Sequence, residues 1–419
     1  MRVVIVGAGL AGLTCAKVLT EQAGSRVQVQ VYERDAQVGG RVQTDEVEGF
    51  RLDRGFQVLF TAYPAVQRQI RLGELHPCAY RPGAVLVQGQ RQYLLGDPWR
   101  DVGALFPSLA NPLVSWVDKL RVLGLRWQLR GRSYPEIVAS PESTMLAFWQ
   151  HYGFSQAMIQ HFFRPFYQGI VLDPQLETSS HLFQFYFQML AAGAIVTPAL
   201  GMGSLSQQLA AALPSGSLHC QTSVEGVWWQ DGRVGGVMVQ GEPITADVVV
   251  WATDTPTAAR VLELSLPTQP RGVTTLYFTT SRPLSRGAYL HLNASGTGLI
   301  NHAMELTQVS PALAPPGQHL WSVSVVGDPD LDQATLVARC RQELTSWFPQ
   351  ALDWTFLRCY RIPFAQFAQP VGFAQHLALP NPKPGLILAG EYTQQSSIQG
   401  SLASGEMAAQ LVLEQLATG

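Results

Sequence analysis

The hydrophobic pattern at the amino terminus predicts a strand, a tight turn and a helix in direct succession. Arg2–Val6 is a short apolar run. Apolar residues then recur at helical spacing, at Leu10, Leu13, Ala16 and Leu19. A second apolar run, Arg26–Tyr32, alternates valines with glutamines. Because a strand buried on both faces would not alternate, we expect this second strand to lie near an exposed edge of a sheet.

Apolar runs further along the chain predict more strands and helices. Leu386–Ala389 is continuously apolar, as in a parallel strand covered on both faces, and a helical pattern follows over 402–416. Thr274–Thr279 and Leu320–Val326 are typical of strands, and Ala334–Trp347 of a helix. We expect segment 104–194 to be mostly helical.

Length and charge narrow the class of protein. The 419 residues suffice for two domains with large cores. Lysine plus arginine (28) nearly balances aspartate plus glutamate (30), and only 14% of residues are charged, against about 25% in an average soluble chain. No nucleic-acid partner is indicated. The low charge instead leaves much apolar surface to place in a core, a pocket or a membrane-facing patch.

Cysteine usage and the first residues bear on location. The five cysteines show no paired spacing, so neither a disulfide framework nor a metal site is predicted. A strand beginning at Arg2 leaves no room for a signal peptide, and no stretch of about 20 residues is free of polar side chains. We therefore expect a cytoplasmic protein that is neither secreted nor membrane-spanning.

Residues 7–12 read GAGLAG, the spacing of a dinucleotide-binding turn. Gly7 permits the turn, Gly9 lets backbone approach a pyrophosphate, and Gly12 lets helix and strand pack closely. The helix amino terminus adds free N–H groups for the phosphates. Glu33 follows the second strand, twenty-one residues after Gly12, where a carboxylate can accept hydrogen bonds from ribose hydroxyls. The pattern predicts a Rossmann-like nucleotide site.

The segments after Glu33 indicate which dinucleotide is bound, because they are typical of FAD-binding and not of NAD-binding proteins. Residues 35–42 read DAQVGGRV and residues 50–57 read FRLDRGFQ. With these segments the chain closely resembles the FAD-dependent superfamily of flavin-containing amine oxidases, phytoene desaturases and protoporphyrinogen oxidases. The resemblance implies that the glycine pair and its arginine lie along the pyrophosphate and that the D-x-G segment passes the flavin ring. The implied cofactor-binding residues are Arg34, Gly39, Gly40, Arg41, Gly55 and Phe56.

The carboxyl-terminal segment resembles the second FAD signature of carotenoid desaturases and protoporphyrinogen oxidase. It implies that Glu391, after Gly390, contacts the ribityl or phosphate region of the cofactor. Ile398 and Gln399 would donate backbone N–H bonds to the flavin C2 carbonyl from a helix amino terminus. Such a terminus stabilises the negative charge of a reduced flavin by on the order of 1 kcal/mol.

Three further assignments depend on the same resemblance. Val224 would offer its backbone to the adenine, and the run ending at Thr253 would be another parallel strand. Tyr392, beside Glu391, is the candidate for a catalytic residue that faces the substrate, with Gln57 and Arg54 as weaker candidates for the same pocket.

The resemblance spans the whole chain and implies two interleaved domains. The FAD-binding domain takes residues 1–60, 195–260 and 380–419. The substrate domain takes 61–194, mostly helical, and 261–379, mostly strands. The predicted fold is therefore α/β, with a Rossmann-like FAD-binding domain and an interleaved substrate domain of antiparallel sheet plus helices. The glycines at 201 and 203 lack a following acidic-ended strand, so we expect no bound NAD(P).

The lysines bear on the chemistry. Amine oxidases of this superfamily use a substrate-domain lysine that reaches flavin N5 through a water, whereas the only lysines here are Lys17, Lys119 and Lys383. Cys359 lies too far before Gly390 to match the cysteine of covalent-flavin members, so we expect noncovalent FAD. We predict hydride abstraction from an apolar conjugated or polycyclic substrate, as in a carotenoid desaturase or a porphyrinogen oxidase.

Three alternatives remain open at this point. One is a redox-neutral polyene isomerase that uses reduced FAD, and another is an amine oxidase without the usual lysine. The third is a noncatalytic prenyl carrier, which the complete set of FAD motifs disfavours.

A tryptophan-bearing helix and several aromatic clusters complete the pattern. Trp116, Leu120, Leu123 and Trp127 recur at helical spacing among basic residues. We interpret this stripe as a core face, with peripheral membrane contact as the second interpretation. The aromatic residues of 148–167 and 183–187 are predicted mainly to pack in the core, with some lining an apolar cavity.

Overall fold

A computed structural model describes residues 1–97, 100, 101, 103, 106, 108 and 110–418. The helices within these residues are α1 (Leu10–Ala23), α2 (Pro64–Gln69), α3 (Trp116–Leu129), α4 (Tyr134–Val138), α5 (Met145–Tyr152), α6 (Gln156–Met158), α7 (Arg164–Val171), α8 (Ser180–Ala192), α9 (Gly203–Ala211), α10 (Thr255–Leu262), α11 (Gln333–Trp347) and α12 (Ile398–Thr418). A π-helical turn, Ile159–Phe163, joins α6 to α7. Short 3-10 turns lie at Gly24–Arg26, Leu72–Leu75, Leu306–Gln308, Pro311–Leu313, Pro349–Asp353, Phe373–His376 and Glu391–Thr393.

The strands of the described residues fall into five sheets. They are β1 (Arg2–Val6), β2 (Gln28–Tyr32), β3 (Thr44–Val47), β4 (Phe50–Asp53), β5 (Leu59–Phe60), β6 (Cys78–Ala79), β7 (Gly83–Gln88), β8 (Arg91–Gly96), β9 (Ile195–Thr197), β10 (Leu218–His219), β11 (Val224–Gln230), β12 (Arg233–Val239), β13 (Glu242–Thr245), β14 (Val248–Trp251), β15 (Pro270–Thr280), β16 (Leu290–Asn293), β17 (His302–Glu305), β18 (His319–Val326), β19 (Thr355–Phe367) and β20 (Leu386–Leu388).

A five-stranded parallel sheet carries the amino- and carboxyl-terminal motifs. Its order is β10-β2-β1-β14-β20, and every neighbouring pair is parallel. The central strands are buried in a core shared with α1, α12 and strand β12 of the three-stranded sheet β11-β12-β13. A Cβ on Gly405 of α12 would lie 2.4 Å from the carbonyl oxygen of Ala11, so the two helices pack with backbones almost touching. Strand β2 has only the two-residue β10 outside it, near the edge as its alternation predicts.

A seven-stranded sheet forms the second layer, in the order β19-β15-β18-β17-β16-β7-β8. Its pairs are antiparallel except for the parallel pair of β16 and β7. One face packs against α11 through a core that includes Leu276, Trp321 and Leu344. Segment 83–96 adds β7 and β8 to this sheet, while the rest of its strands come from 270–367. The parallel and antiparallel sheets together confirm the predicted fold class.

Helices α3 to α8 pack beside the seven-stranded sheet. Their interior is aromatic: Trp149, Phe163, Tyr167 and Phe183 are fully buried, with ring centroids 4.9–6.0 Å apart. Core packing therefore accounts for most of the aromatic cluster, as expected. None of the helices in the described part of the chain is both long enough and apolar enough to cross a membrane.

The outer face of α3 differs from our expectation of a core face. Trp116 is 58% exposed, Leu120 64% and Trp127 80%. The helix buries its other side, through Leu125 and Leu129, and the carboxylate of buried Asp118 accepts hydrogen bonds from Ser115 and Ser155. The apolar stripe thus faces outward. The face that packs against the core lies about half a turn around the helix and carries Leu125 and Leu129.

Candidate functional site

A cavity of about 810 Å³ runs between the two large sheets. At one end it meets the carboxyl ends of β1, β2, β14 and β20, which is where ligands bind in open parallel sheets. At the other end it reaches β15, β17, β18 and β19 of the seven-stranded sheet, with α7 on the opposite side. Most of the motifs predicted from the sequence line the first end.

The three glycines of the first turn have different surroundings. Gly7 has a φ of +104°, and a Cβ there would lie 2.8 Å from the carbonyl oxygen of Ala252. A Cβ on Gly12 would lie 2.0 Å from the carbonyl oxygen of Gly7, so this residue is needed for packing and lies behind the cavity. A Cβ on Gly9 would meet no heavy atom of the described residues within 4 Å. Gly9 therefore faces open space that a ligand can occupy.

The amino terminus of α1 points into that space. Gly9 is the N-cap residue, and no described side chain caps the helix. The first N–H groups of a helix lack partners within it and carry a partial positive charge, which suits a diphosphate. Gly39 closes over the turn by donating its N–H to the Ala8 carbonyl at 2.8 Å, and Gly40 lies beside Gly9.

Glu33 is fixed at the end of β2. Its carboxylate is buried and accepts the N–H of Ala8 at 2.7 Å and the N–H of Asp35 at 2.9 Å. Each oxygen of an ionised carboxylate can accept a further hydrogen bond. Glu33, Arg34 and Val224 line the cavity together, so the predicted adenosine residues meet at one place.

Arg41 and Glu391 are joined by an ion pair, with Arg41 Nη2 2.7 Å from Glu391 Oε1. Arg41 also donates to the carbonyl of Ala365 at 2.6 Å, and Ser396 donates to Glu391 Oε2 at 2.6 Å. Both residues line the cavity. The pair restrains the guanidinium of Arg41. The side chain remains partly exposed and lines the cavity together with Gly40.

The amino terminus of α12 also reaches the cavity. Ser397 caps it by accepting the N–H of Gly400 at 2.9 Å, and Ile398 lines the cavity. The side chain of Gln399 turns away and accepts the N–H of Ala65 at 2.9 Å. Only its backbone N–H, in the first turn of α12, remains available for the predicted role.

Tyr392 does not have the position expected of a substrate-facing residue. Its side chain is completely buried, and its hydroxyl lies 3.0 Å from the carbonyl oxygen of Trp251 and 3.2 Å from that of Ala389. Tyr392 follows Glu391 in the 3-10 turn Glu391–Thr393, and it does not line the cavity, although Glu391 does. This correction makes Tyr392 a packing residue, and burial raises the pKa of its hydroxyl.

Gly55, Phe56 and Gln57 lead from the first end of the cavity to the second. The N–H of Phe56 lies 3.3 Å from Thr275 Oγ1 on β15. Gln57 donates its amide to the carbonyl oxygen of Arg41 at 2.8 Å. Arg54 donates from both Nε and Nη2 to the carboxylate of Asp45 at 3.0–3.2 Å. It lines the cavity with Gly55, Phe56 and Gln57.

Asp53, at the start of this segment, is partly buried and does not itself line the cavity. It accepts hydrogen bonds from Thr44 Oγ1 at 2.6 Å and from the N–H of Met202 at 2.8 Å. Burial raises the pKa of this carboxyl to about 6. Asp53 thus ties the strand β4 to the turn before α9.

Of the residues at the second end, only Phe166 belongs to an aromatic cluster that the sequence indicated as a source of cavity-lining residues. The residues at this end are Tyr80, Phe166, Gly169, Ile170, Leu290, His302, Ser324, Ile362 and Gln366. Three polar atoms here, Gln57 Oε1, Gln366 Oε1 and His302 Nε2, are buried and have no hydrogen-bond partner among the described residues. A buried acceptor without a donor costs about 1–3 kcal/mol. The single ring N–H of a flavin fits one of the two amide oxygens, and the open glycine turn fits its phosphates.

Comparison with known proteins agrees with this geometry. The family described as "Flavin containing amine oxidoreductase" matches residues 10–413. Phytoene dehydrogenase of Streptomyces griseus is 28% identical over 372 residues, which cover 77% of this chain and 72% of that protein. Protoporphyrinogen oxidase 2 of Arabidopsis thaliana is 24% identical over 218 residues, 49% of this chain and 41% of that protein.

Solved structures share the fold. The structure of an oxidoreductase from Methanosarcina mazei superposes with a TM-score of 0.73 at 19% identity, covering 99% of this chain and 100% of that one. The family match extends over both ends of the cavity and over nearly the whole chain. The chain therefore belongs to the flavin-containing amine oxidoreductase family, and it is a flavin-dependent oxidoreductase.

Proposed function

We propose that this protein holds FAD noncovalently and abstracts hydride from an apolar conjugated or polycyclic substrate. The dinucleotide form of the cofactor is supported by the first end of the cavity, where Glu33 is positioned for a ribose and Gly9 for a diphosphate. Noncovalent attachment is supported by the absence of cysteine among the described residues that line the cavity.

The residues at the first end bind and orient the cofactor. The N–H groups at the start of α1 and the guanidinium of Arg41 meet the phosphates, and Glu33 accepts from the ribose. The first N–H groups of α12, beside Ile398, meet the edge of the ring where negative charge increases on reduction. When bound, FAD would supply the two-electron acceptor for a hydride from the substrate.

The observation that carries the substrate class is the lining of the second end. Tyr80, Phe166, Ile170, Leu290 and Ile362 make it largely aromatic and aliphatic. The described lining residues include no lysine. The carboxylates of the cavity are Glu33, Asp35, Glu225, Asp254 and Glu391. All of them belong to the nucleotide end, and a buried ammonium at the second end would lack a counter-charge.

Relatives named phytoene dehydrogenase and protoporphyrinogen oxidase support the same substrate class. The names describe an acyclic polyene and a reduced tetrapyrrole, which share large apolar surfaces and bonds that become conjugated on oxidation. Both are compatible with an apolar cavity that excludes water from the reacting atoms.

Anaerobic reduction tests this proposal. The flavin-loaded protein is mixed without oxygen with phytoene or protoporphyrinogen in detergent micelles, and with putrescine as a charged control, while the oxidised-flavin absorbance is followed. We expect at least one apolar compound to bleach the flavin and putrescine to leave it oxidised. Bleaching by putrescine alone would support amine oxidation instead. A change in polyene geometry that requires reduced flavin, without net bleaching, would identify an isomerase.

We also propose that the outer face of α3 contacts an anionic membrane surface. The stripe of Trp116, Leu120, Leu123 and Trp127 extends over about 17 Å of helix. Lys119 lies over the ring of Trp116 at 4.9 Å, and the exposed Arg130 follows the helix. An amphipathic helix with tryptophans and flanking cations is typical of an interfacial helix, and cations near anionic lipid contribute about 1 kcal/mol each.

Sedimentation with lipid vesicles tests this contact. We expect binding to vesicles of phosphatidylserine and phosphatidylcholine, and weaker binding to phosphatidylcholine alone. The double variant Trp116→Ala, Trp127→Ala should lose binding. Leu379→Ala, which removes an equally exposed side chain (74%) away from α3, should retain it. Equal binding by both variants would contradict the proposal.

A further inference from the structure

His302 is a buried histidine that lines the cavity and has one ring nitrogen without a hydrogen-bond partner among the described residues. It begins β17, is 4% exposed and lines the second end. Its Nδ1 lies 2.9 Å from Asn301 Oδ1, so Nδ1 carries the proton and donates. Nε2 is then a bare acceptor, and it finds no partner in the described part of the chain.

The neighbours of His302 hold this ring in place. Phe56 stands against it with ring centroids 4.7 Å apart and an interplanar angle of 64°. Gly169 of α7 packs on its other side, where a Cβ would lie 3.1 Å from Nδ1 and 3.1 Å from Asn301 Oδ1. A side chain larger than hydrogen at residue 169 would therefore displace the imidazole.

Ser324 lies directly opposite His302 on β18 and on the same face of the sheet. It is 1% exposed, it lines the cavity, and its Oγ has no hydrogen-bond partner within the described ranges. Two unsatisfied polar side chains thus occupy paired positions on the same face of the sheet. A buried pair of this kind indicates a ligand that supplies the missing hydrogen bonds.

We infer that His302 Nε2, with Ser324 Oγ beside it, binds an N–H or O–H group of the substrate. This inference rests on the proposed function, since it places the apolar substrate at the second end of the cavity. It narrows the substrate class to apolar polycyclic or conjugated molecules that carry a neutral hydrogen-bond donor. An unsubstituted polyene carries no such donor.

The role is binding rather than proton abstraction. Burial lowers the pKa of His302 to about 3, so the ring is neutral at physiological pH and is a weak base. A neutral acceptor prefers a pyrrole-type N–H or a hydroxyl. An ammonium group would bring a buried charge to a place where no described carboxylate lines the wall.

A matched pair of probes tests this inference without requiring turnover. Carbazole and dibenzofuran are tricyclic aromatics of the same shape, and only carbazole carries an N–H. Their Kd values for the flavin-loaded protein are measured from the change in flavin absorbance. We expect carbazole to bind about tenfold more tightly, the ratio for one ordinary hydrogen bond. His302→Leu should remove that preference by weakening carbazole binding alone.

His291→Leu is the matched control. His291 is a buried histidine on the neighbouring strand β16, 1% exposed, but its ring packs against Trp321 and Phe348 on the other face of the sheet. This variant should keep the preference for carbazole.

Each other outcome contradicts the inference. Equal affinity of the two probes for the wild-type protein overturns it while leaving the apolar cavity intact. A preference that survives His302→Leu assigns the hydrogen bond to another acceptor. Failure of both probes to bind overturns the proposed function as well. If His302→Leu does not fold, ¹⁵N NMR of histidine-labelled wild-type protein decides, because carbazole and not dibenzofuran must shift a ring nitrogen.

Discussion

Arg41 and Glu391, from opposite ends of the chain, meet in an ion pair with Nη2 and Oε1 2.7 Å apart. Arg41 follows the glycine pair that covers α1, and Glu391 follows β20. The pair therefore joins the two sequence motifs that line the nucleotide end of the cavity. It also means that part of the positive charge of Arg41 is already balanced before a diphosphate binds.

Removing this pair should weaken both folding and flavin binding. Arg41→Ala leaves Glu391 buried with only Ser396 as a described partner, so we expect the free energy of unfolding to fall by about 1–3 kcal/mol. The flavin Kd should rise at least about tenfold. Arg68→Ala breaks the surface pair with Glu406, at 2.6 Å, and should change neither quantity by much. Equal flavin affinity in the two variants would contradict a cofactor role for Arg41.

Alanine variants of the first-turn glycines should affect different properties, flavin binding at Gly9 and folding at Gly12. Gly9→Ala adds a methyl to open space, so the protein should keep its melting temperature and bind flavin at least about tenfold more weakly. Gly12→Ala places a methyl 2.0 Å from the Gly7 carbonyl oxygen and should destabilise the fold. Gly73→Ala, also free of contacts with described residues, is the control. Normal flavin binding by Gly9→Ala would contradict the placement of the diphosphate.

Tyr392→Phe tests the corrected position of this residue. The variant loses a buried hydroxyl that lies within hydrogen-bond distance of the backbone carbonyls of Trp251 and Ala389, so we expect a loss of about 1 kcal/mol in unfolding free energy. Flavin reduction by substrate should proceed at the wild-type rate, because the ring lies outside the cavity. Stopped-flow absorbance measures that rate, and a large decrease at unchanged stability would restore Tyr392 as a catalytic candidate.

Protonation of Asp53 should stabilise the fold at acid pH, an effect that the variant Asp53→Asn cannot show. Its folded pKa of about 6 exceeds the unfolded value of about 3.9, so the folded protein binds this proton more tightly. The stabilisation is fully present below about pH 4 and is lost as pH rises through about 6.

Asp53→Asn removes this titration and keeps the oxygen that accepts from Thr44 and Met202. The unfolding free energy of the wild type minus that of the variant should therefore decrease by about 2–3 kcal/mol from pH 4 to pH 7. Urea denaturation at several pH values measures it. A difference that does not change with pH would show that Asp53 ionises normally.

The nucleotide end could be predicted from the sequence because its parts are contiguous. Strand, glycine turn and helix occupy residues 2–23, and Glu33 needs only the following strand to be placed. The local pattern of apolar positions therefore gives both the elements and their order. Glu391 and the start of α12 follow instead from the resemblance to the second FAD signature, since the apolar pattern alone predicts the helix only from residue 402.

The substrate end could not be predicted because its residues come from separate elements. His302 and Ser324 become neighbours only through the register of β17 and β18, and Gly169 reaches them from α7 across the cavity. No local spacing records such pairings. Tyr392 was misplaced for a related reason, since adjacency to Glu391 does not give the direction of a side chain in a 3-10 turn.

The helix α3 shows a third limit. Periodicity identifies an apolar face, but it does not say whether that face meets a core or the surface. Trp127 and Leu125 belong to the same helix, yet one is exposed and the other is buried.

The most direct test of the central claim, FAD held noncovalently in this cavity, is to heat-denature the purified protein and identify the released flavin by chromatography. We predict that flavin leaves the precipitated chain completely and elutes as FAD. Flavin that stays with the precipitate, or that elutes as the mononucleotide, would contradict the account.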